Sequence, residues 1–152
     1  MCVVCSGAKS LLDVPATLEM LESLGVPVVG FGTDSFPLFY VRESRHTLVD
    51  RVDDPVTAAA VAGAHWGFAR TTGLVVAQPV AREVALDADE LETLIEFEVS
   101  EAARTGVRGP AVTPYVLARL HARTEGRTLE SNARLVCDNA ELAGRIAVAY
   151  YA

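Results

Sequence analysis

Lys9 is the one lysine in this chain, and the other twelve cationic side chains are arginine. A guanidinium stays protonated at any working pH. A desolvated lysine can lose its proton, and the free amine then attacks a carbonyl carbon to form a Schiff base. The alternative role for Lys9 is a solvated loop charge in an arginine-biased sequence. Thr33 and Asp34, in Gly32-Thr-Asp-Ser-Phe-Pro37, offer a hydroxyl and a carboxylate to a ligand. They serve equally well as side chains that close their own turn. Cys2 and Cys5 have the spacing of a redox or zinc pair. On a strand, however, residues three apart face opposite ways, and no second CxxC or histidine pair completes a set, so no metal site is expected. Asn132 and Asn139 are seven apart and share one helical stripe. His65 reads as a packed or capping histidine.

The elements that must position these residues follow from hydrophobic pattern and punctuation. Residues 2–5 form a short apolar strand, broken by Ser6-Gly7, and Lys9 lies in the turn beyond it. Asp13 and Pro15 open a helix that Gly25 stops. Residues 27–31 form a second buried strand, so the unit is a parallel βαβ. Residues 38–41 read as a short extended piece and 42–51 as polar surface. Asp53-Asp54-Pro55 opens a helix to about Arg70, and residues 74–77 form a third strand ending at Gln78. Parallel strands end on the same side. Lys9, Thr33, Asp34 and Gln78 therefore gather where open α/β sheets bind ligands.

From residue 86 the chain reads as helical. Leu91, Leu94, Ile95, Glu98 and Ala102 trace one face, and the acidic run from Glu90 to Glu101 reads as solvated. Thr113-Pro114 caps a helix to about Thr124. A last helix from Thr128 to about Tyr150 offers Leu129, Leu135, Val136, Leu142 and Ile146 as its core face. The expected fold class is α/β, with a parallel sheet in α/β/α layers and a helical C-terminal third, as one α/β domain over residues 1–152. A central strand starting at residue 2 would normally be flanked by something upstream, so the domain reads as incomplete.

The chain has 152 residues, half of them hydrophobic, and a net charge of −7. It has no basic cluster to neutralise phosphates, which argues against a nucleic-acid partner. Its apolar runs fall short of the ~20 residues a membrane span needs. No secretory signal is expected from the opening residues, and the expected location is cytoplasmic.

Several segments taken together resemble the C-terminal half of the pseudouridine-5′-phosphate glycosidase, or indigoidine synthase A-like, family. They are Val4-Cys-Ser-Gly-Ala-Lys-Ser-Leu-Leu-Asp13, Gly25 to Asp34 with Phe36-Pro37 and Phe39-Tyr40, Leu74-Val-Val-Ala-Gln-Pro79, Val112-Thr-Pro-Tyr115, and Ser131-Asn132 through Asp138-Asn-Ala140. The resemblance implies reversible cleavage of the C–C glycosidic bond of pseudouridine 5′-phosphate to uracil and ribose 5-phosphate. It implies Lys9 as the nucleophile and Asn132 as a substrate contact. It further implies Mn²⁺ as cofactor, a phosphosugar or nucleotide substrate, and a homotrimer. The family's general acid, a substrate-binding lysine and its metal ligand precede the matched region, so none is expected in this chain. Gln78 stands where the family usually has asparagine, and Glu125 where glycine is frequent. Two other readings remain open. One is a truncated, non-catalytic half that binds or assembles. The other is a small phosphosugar module holding phosphate on backbone N–H groups near Ser6–Ala8 or Gly32–Asp34.

Overall fold

The computed structural model describes residues 1–68 and 71–152. Its centre is a four-stranded, all-parallel sheet of β1 (Cys2–Cys5), β2 (Val28–Phe31), β3 (Asp50–Val52) and β4 (Leu74–Ala77), in the order β1-β4-β2-β3. Among the described residues five α-helices follow the chain: α1 (Val14–Ser23), α2 (Pro55–Gly67), α3 (Ala88–Arg104), α4 (Val112–Arg123) and α5 (Arg127–Tyr151). The α/β class expected from sequence is the observed one.

The helix starts are set by local chemistry. Asp13 accepts from the Ala16 N–H at 3.0 Å, with Pro15 in the first turn. Asp54 accepts from the N–H groups of Val56 and Thr57, both at 2.9 Å. The Thr57 hydroxyl and these backbone donors hold the Asp54 carboxyl below its usual range. Asp87 caps α3 in the same way.

Packing then follows the apolar stripes. On one face of the sheet, Val29, Val52, Leu74 and Val76 meet Ala58, Ala59 and Ala62 of α2 and Leu142 and Ile146 of α5. The small α2 side chains let the helix lie close to the strands. On the other face, Ala77 and Val28 meet Val14 and Leu18 of α1 together with Phe36. A second core lies between α3 and α4, where Leu91, Val116 and Leu120 close over Val41 and Leu86.

The structure corrects the sequence reading in several places. The polar stretch 42–51 has no buried residue, as expected, but its last two residues begin β3, an unexpected strand of three residues in which only Val52 is buried. β4 inserts between β1 and β2, so those two strands are not neighbours. Residues 38–41 form a tight turn rather than an extended piece, closed by Leu38 N–H to Val41 C=O at 3.0 Å. Thr113 caps nothing, because α4 grows out of a 3₁₀ turn at Gly109–Ala111. In the acidic run of α3, Glu98 is fully buried and paired with Arg119 and Arg123. On α5, Leu129 and Val136 are exposed, and Thr128 and Ser131 take the inward positions beside Leu135. The expected end of α2 near Arg70 lies outside the described residues, and the described helix stops at Gly67. Glu125 adopts a left-handed backbone, φ +51°, which is the physical reason glycine suits that position.

Candidate functional site

Lys9 sits just past the carboxyl end of β1, in a turn clamped onto the 36–41 segment. The Ser6 carbonyl accepts the Phe39 N–H at 2.9 Å, Gly7 bridges Leu38, and the Ser10 hydroxyl donates to the Leu38 carbonyl at 3.3 Å. Gly7 permits this approach twice over. Its φ is +75°, and a Cβ there would stand 1.8 Å from the Pro37 carbonyl oxygen.

The Lys9 side chain is half-buried, with Nζ 5.7 Å from the centre of the Phe39 ring. Phe39 itself has φ +64°, a conformation a bulky residue adopts at a cost of about 1–3 kcal/mol. Its ring meets Tyr40 edge-on at 4.7 Å, and burial pushes the Tyr40 phenol up from its ordinary value. The enclosed space between Lys9, Phe39, Tyr40 and Leu120 is about 10 Å³, room for about one water. A larger cavity of about 560 Å³ opens on the far side of Ser10, between the 38–46 segment and α3.

The turn is also tied to α5. Ser6 is buried, and its hydroxyl pairs with the side chain of Asn139, with Nδ2 at 3.1 Å and Oδ1 at 3.4 Å. Asn132 lies seven residues earlier on the same stripe, about 10 Å along the helix. It is half-buried and makes no side-chain hydrogen bond among the described residues. The adjacent Ser131 hydroxyl is fully buried without a partner among them.

Thr33 and Asp34 fall at the same edge of the sheet, with most of their bonding capacity used locally. The Thr33 hydroxyl donates to the Ser35 carbonyl and accepts the Ser35 N–H, both at 3.1 Å. Asp34 pairs with Arg51 at 2.8 Å on the surface, and Arg51 also holds Asp53. The Gln78 backbone N–H donates to the Cys5 carbonyl at 2.8 Å, placing its loop beside the Lys9 turn. Cys2 and Cys5 are free thiols, each pushed up chiefly by burial. Among the described residues no group of three His, Cys, Asp or Glu side chains could hold a metal ion.

Sequence reasoning missed three parts of this arrangement. The Ser6–Asn139 tie joins residues 133 apart. The strained Phe39 and the contact of Gly7 with Pro37 depend on how two loops meet. Their only sequence signal was that Gly7, Pro37 and Phe39 fall within the matched motifs.

The family model for "Indigoidine synthase A like protein" matches residues 1–149. The chain belongs to the indigoidine synthase A-like family. It is 47% identical over 146 residues to a protein from Caldanaerobacter subterraneus subsp. tengcongensis named pseudouridine-5′-phosphate glycosidase, covering 96% of this chain and 48% of that one. It is 50% identical over 147 residues to a protein of the same name from Symbiobacterium thermophilum, covering 97% and 48%. The fold also superposes on a crystal structure of the prealnumycin C-glycosynthase AlnA in complex with ribulose 5-phosphate. That match has TM-score 0.91 and 35% identity, over 99% of this chain and 49% of that one. An indigoidine synthase A-like protein from Thermotoga maritima matches with TM-score 0.84 and 40% identity. The chain spans about half the length of the curated relatives it matches. No helix among the described residues is long and apolar enough to cross a membrane.

Proposed function

We propose that this indigoidine synthase A-like chain supplies the Schiff-base lysine of a pseudouridine-5′-phosphate glycosidase. The observation that carries the reading is the fixed position of Lys9. The only lysine is held at the carboxyl edge of the sheet by a glycine-dependent turn, beside an aromatic ring and tied to the asparagine stripe of α5. Two curated relatives near 50% identity bear the glycosidase name.

In the synthetic direction the open-chain aldehyde of ribose 5-phosphate meets the free Lys9 amine. A C–N bond forms at C1, the oxygen leaves as water, and an iminium results. That iminium accepts an electron pair from C5 of uracil, forming the C–C bond, and the ring carbon then loses its proton; the sugar's O4 hydroxyl closes on C1 as the Lys9 amine leaves with the hydroxyl proton, which restores the furanose and frees Lys9. Cleavage runs the same steps backwards: C5 of uracil takes up a proton and keeps the electron pair of the breaking bond, while the Lys9 nitrogen gives its lone pair to C1 to form the iminium, which water then hydrolyses. Asn132 hydrogen-bonds the sugar. Thr33 and Asp34 stand on the rim, Thr33 shaping its loop and Asp34 paired with Arg51.

The described residues do not form a site that fits manganese. No step above passes through a metal, and the ion implied by the resemblance is assigned to residues outside this chain. The trimer and the cytoplasmic setting belong to the same reading as proposals. The space beside Lys9 is too small for a sugar phosphate, which favours a pocket whose remaining wall comes from the half of the relatives that this chain does not span.

The test is reductive trapping. The chain, alone and with the unmatched half of the Caldanaerobacter protein, is incubated with ribose 5-phosphate and borohydride and read by peptide mass spectrometry. The expected adduct is one ribose 5-phosphate, less one water and plus two hydrogens, on Lys9, and none on the Lys9→Arg variant. No adduct in either mixture, or an equal adduct on the variant's amino terminus, overturns the assignment.

A further inference from the structure

Three cationic side chains among the described residues stand against aromatic rings, and Lys9 differs from the other two. Arg119 lies 5.9 Å from the centre of the Tyr115 ring and Arg123 4.5 Å from that of Phe97, and both also pair with the buried carboxylate of Glu98. Lys9 has the Phe39 ring, at 5.7 Å. It pairs with no carboxylate among the described residues, where every ion pair is made by an arginine. A carboxylate beside the amine would favour the charged ammonium and oppose loss of its proton. A ring attracts a cation through its face and places no full negative charge there.

The turn is built to present that ring. Phe39 is left-handed, φ +64°, a conformation that suits glycine or asparagine better than phenylalanine. Its N–H is fixed on the Ser6 carbonyl at 2.9 Å, and the flanking Leu38 and Val41 exchange N–H to C=O bonds at 3.0 and 3.4 Å. Tyr40 braces the ring edge-on at 4.7 Å, and its own carbonyl accepts the Leu86 N–H at 2.9 Å. What a phenylalanine brings to such a position is its side chain, since its backbone preference runs the other way.

We infer that Phe39 is a positioning residue for Lys9, whose ring holds the nitrogen in place and favours the iminium over the ammonium. The discrimination comes from hydration. An ammonium is a compact, strongly hydrated charge with three N–H donors. The iminium keeps one N–H and carries carbon substituents. It therefore gives up less hydration on meeting a ring, as methylated ammonium groups do in aromatic cages. The covalent step is the one already written: Nζ bonds to the aldehyde carbon, and the oxygen leaves as water. Phe39 makes and breaks no bond. The inference rests on the reading of Lys9 as a Schiff-base former and adds to it the group that the cationic nitrogen faces.

The test mixes the full 152-residue chain with acetaldehyde, beside an acetylated peptide carrying one lysine in the same tube. A rapid borohydride quench reduces each iminium to an N-ethyl amine. Peptide mass spectrometry then gives the ethylated fraction of Lys9 relative to that of the peptide. Phe39→Leu removes the aromatic face, and Phe39→Asn removes it while suiting the left-handed backbone. Both should lower the ratio by about two- to fivefold, and Phe39→Tyr should keep it. Circular dichroism checks that each variant is folded, and if Phe39→Leu is not, Phe39→Asn decides. An unchanged ratio in the ringless variants, an equal loss in Phe39→Tyr, or no ethylated Lys9 in the parent overturns the inference. The same variants with ribose 5-phosphate separate this inference from the wider reading. A Phe39-dependent acetaldehyde adduct with no sugar phosphate adduct sinks only the glycosidase assignment. A sugar phosphate adduct indifferent to Phe39 sinks only the role of the ring.

Discussion

The tie between Ser6 and Asn139 is the contact that holds the Lys9 turn against α5, and its strength can be worked from the structure. Ser6 is 3% exposed, whereas Asn139 is only half-buried. Asn139→Ala leaves a buried hydroxyl unpaired, which costs ~1–3 kcal/mol. The half-open position of Asn139 lets water reach the gap, so the lower end applies, about 1–1.5 kcal/mol. Ser6→Ala leaves only an amide that water can satisfy, at about 0.5 kcal/mol. The prediction is therefore an asymmetry, with a coupling energy near 1 kcal/mol in the double-mutant cycle. Urea unfolding measures it. With a slope of about 1–3 kcal/mol per molar, Asn139→Ala should lower the midpoint by roughly half a molar. If Ser6→Ala costs as much as Asn139→Ala, or the two are additive within about 0.3 kcal/mol, the hydrogen bond does not tie the turn and the reasoning fails.

Three further outcomes follow from single sites. Arg123→Ala strips the close partner from fully buried Glu98 and the guanidinium from the face of Phe97, leaving only Arg119 at 3.4 Å. A loss of about 2–3 kcal/mol in urea unfolding is expected, below the figure for a wholly buried pair because both arginines are about half exposed, and Arg119→Ala should cost less than about 1. Glu125→Gly relieves a left-handed backbone but loosens the unfolded chain, for a net gain of about 0.5–1 kcal/mol, seen as a higher thermal midpoint. Burial raises the Cys5 thiol, so at mildly alkaline pH iodoacetamide should label exposed Cys137 first and Cys5 last. By linkage the folded form keeps that proton while the unfolded form releases it. Stability should thus fall as pH rises through the ordinary thiol value, and a Cys5→Ala variant should show less of that fall.

Much of the framework was legible because it is written in local chemistry. Asp13 and Asp54 cap the helices they were expected to cap, since a carboxylate two or three residues before free N–H groups needs no distant partner. The apolar runs at residues 2–5 and 74–77 became strands, and Leu91 and Ala102 share a buried face as their spacing required. β3 was illegible because three residues with one buried side chain carry no period. The burial of Glu98 was hidden for a related reason: its partners, Arg119 and Arg123, lie on another helix.

The sequence alone determined the α/β class, the starts of α1 and α2 and the singular lysine just past the first strand, all consequences of residue type and short-range spacing. Only the tertiary structure decided that β4 separates β1 from β2 and that Ser6 meets Asn139. It also decided that Phe39 takes a left-handed backbone beside Lys9. Each of these depends on contacts between segments far apart in the chain, where the free energy comes from packing and desolvation that no local window contains.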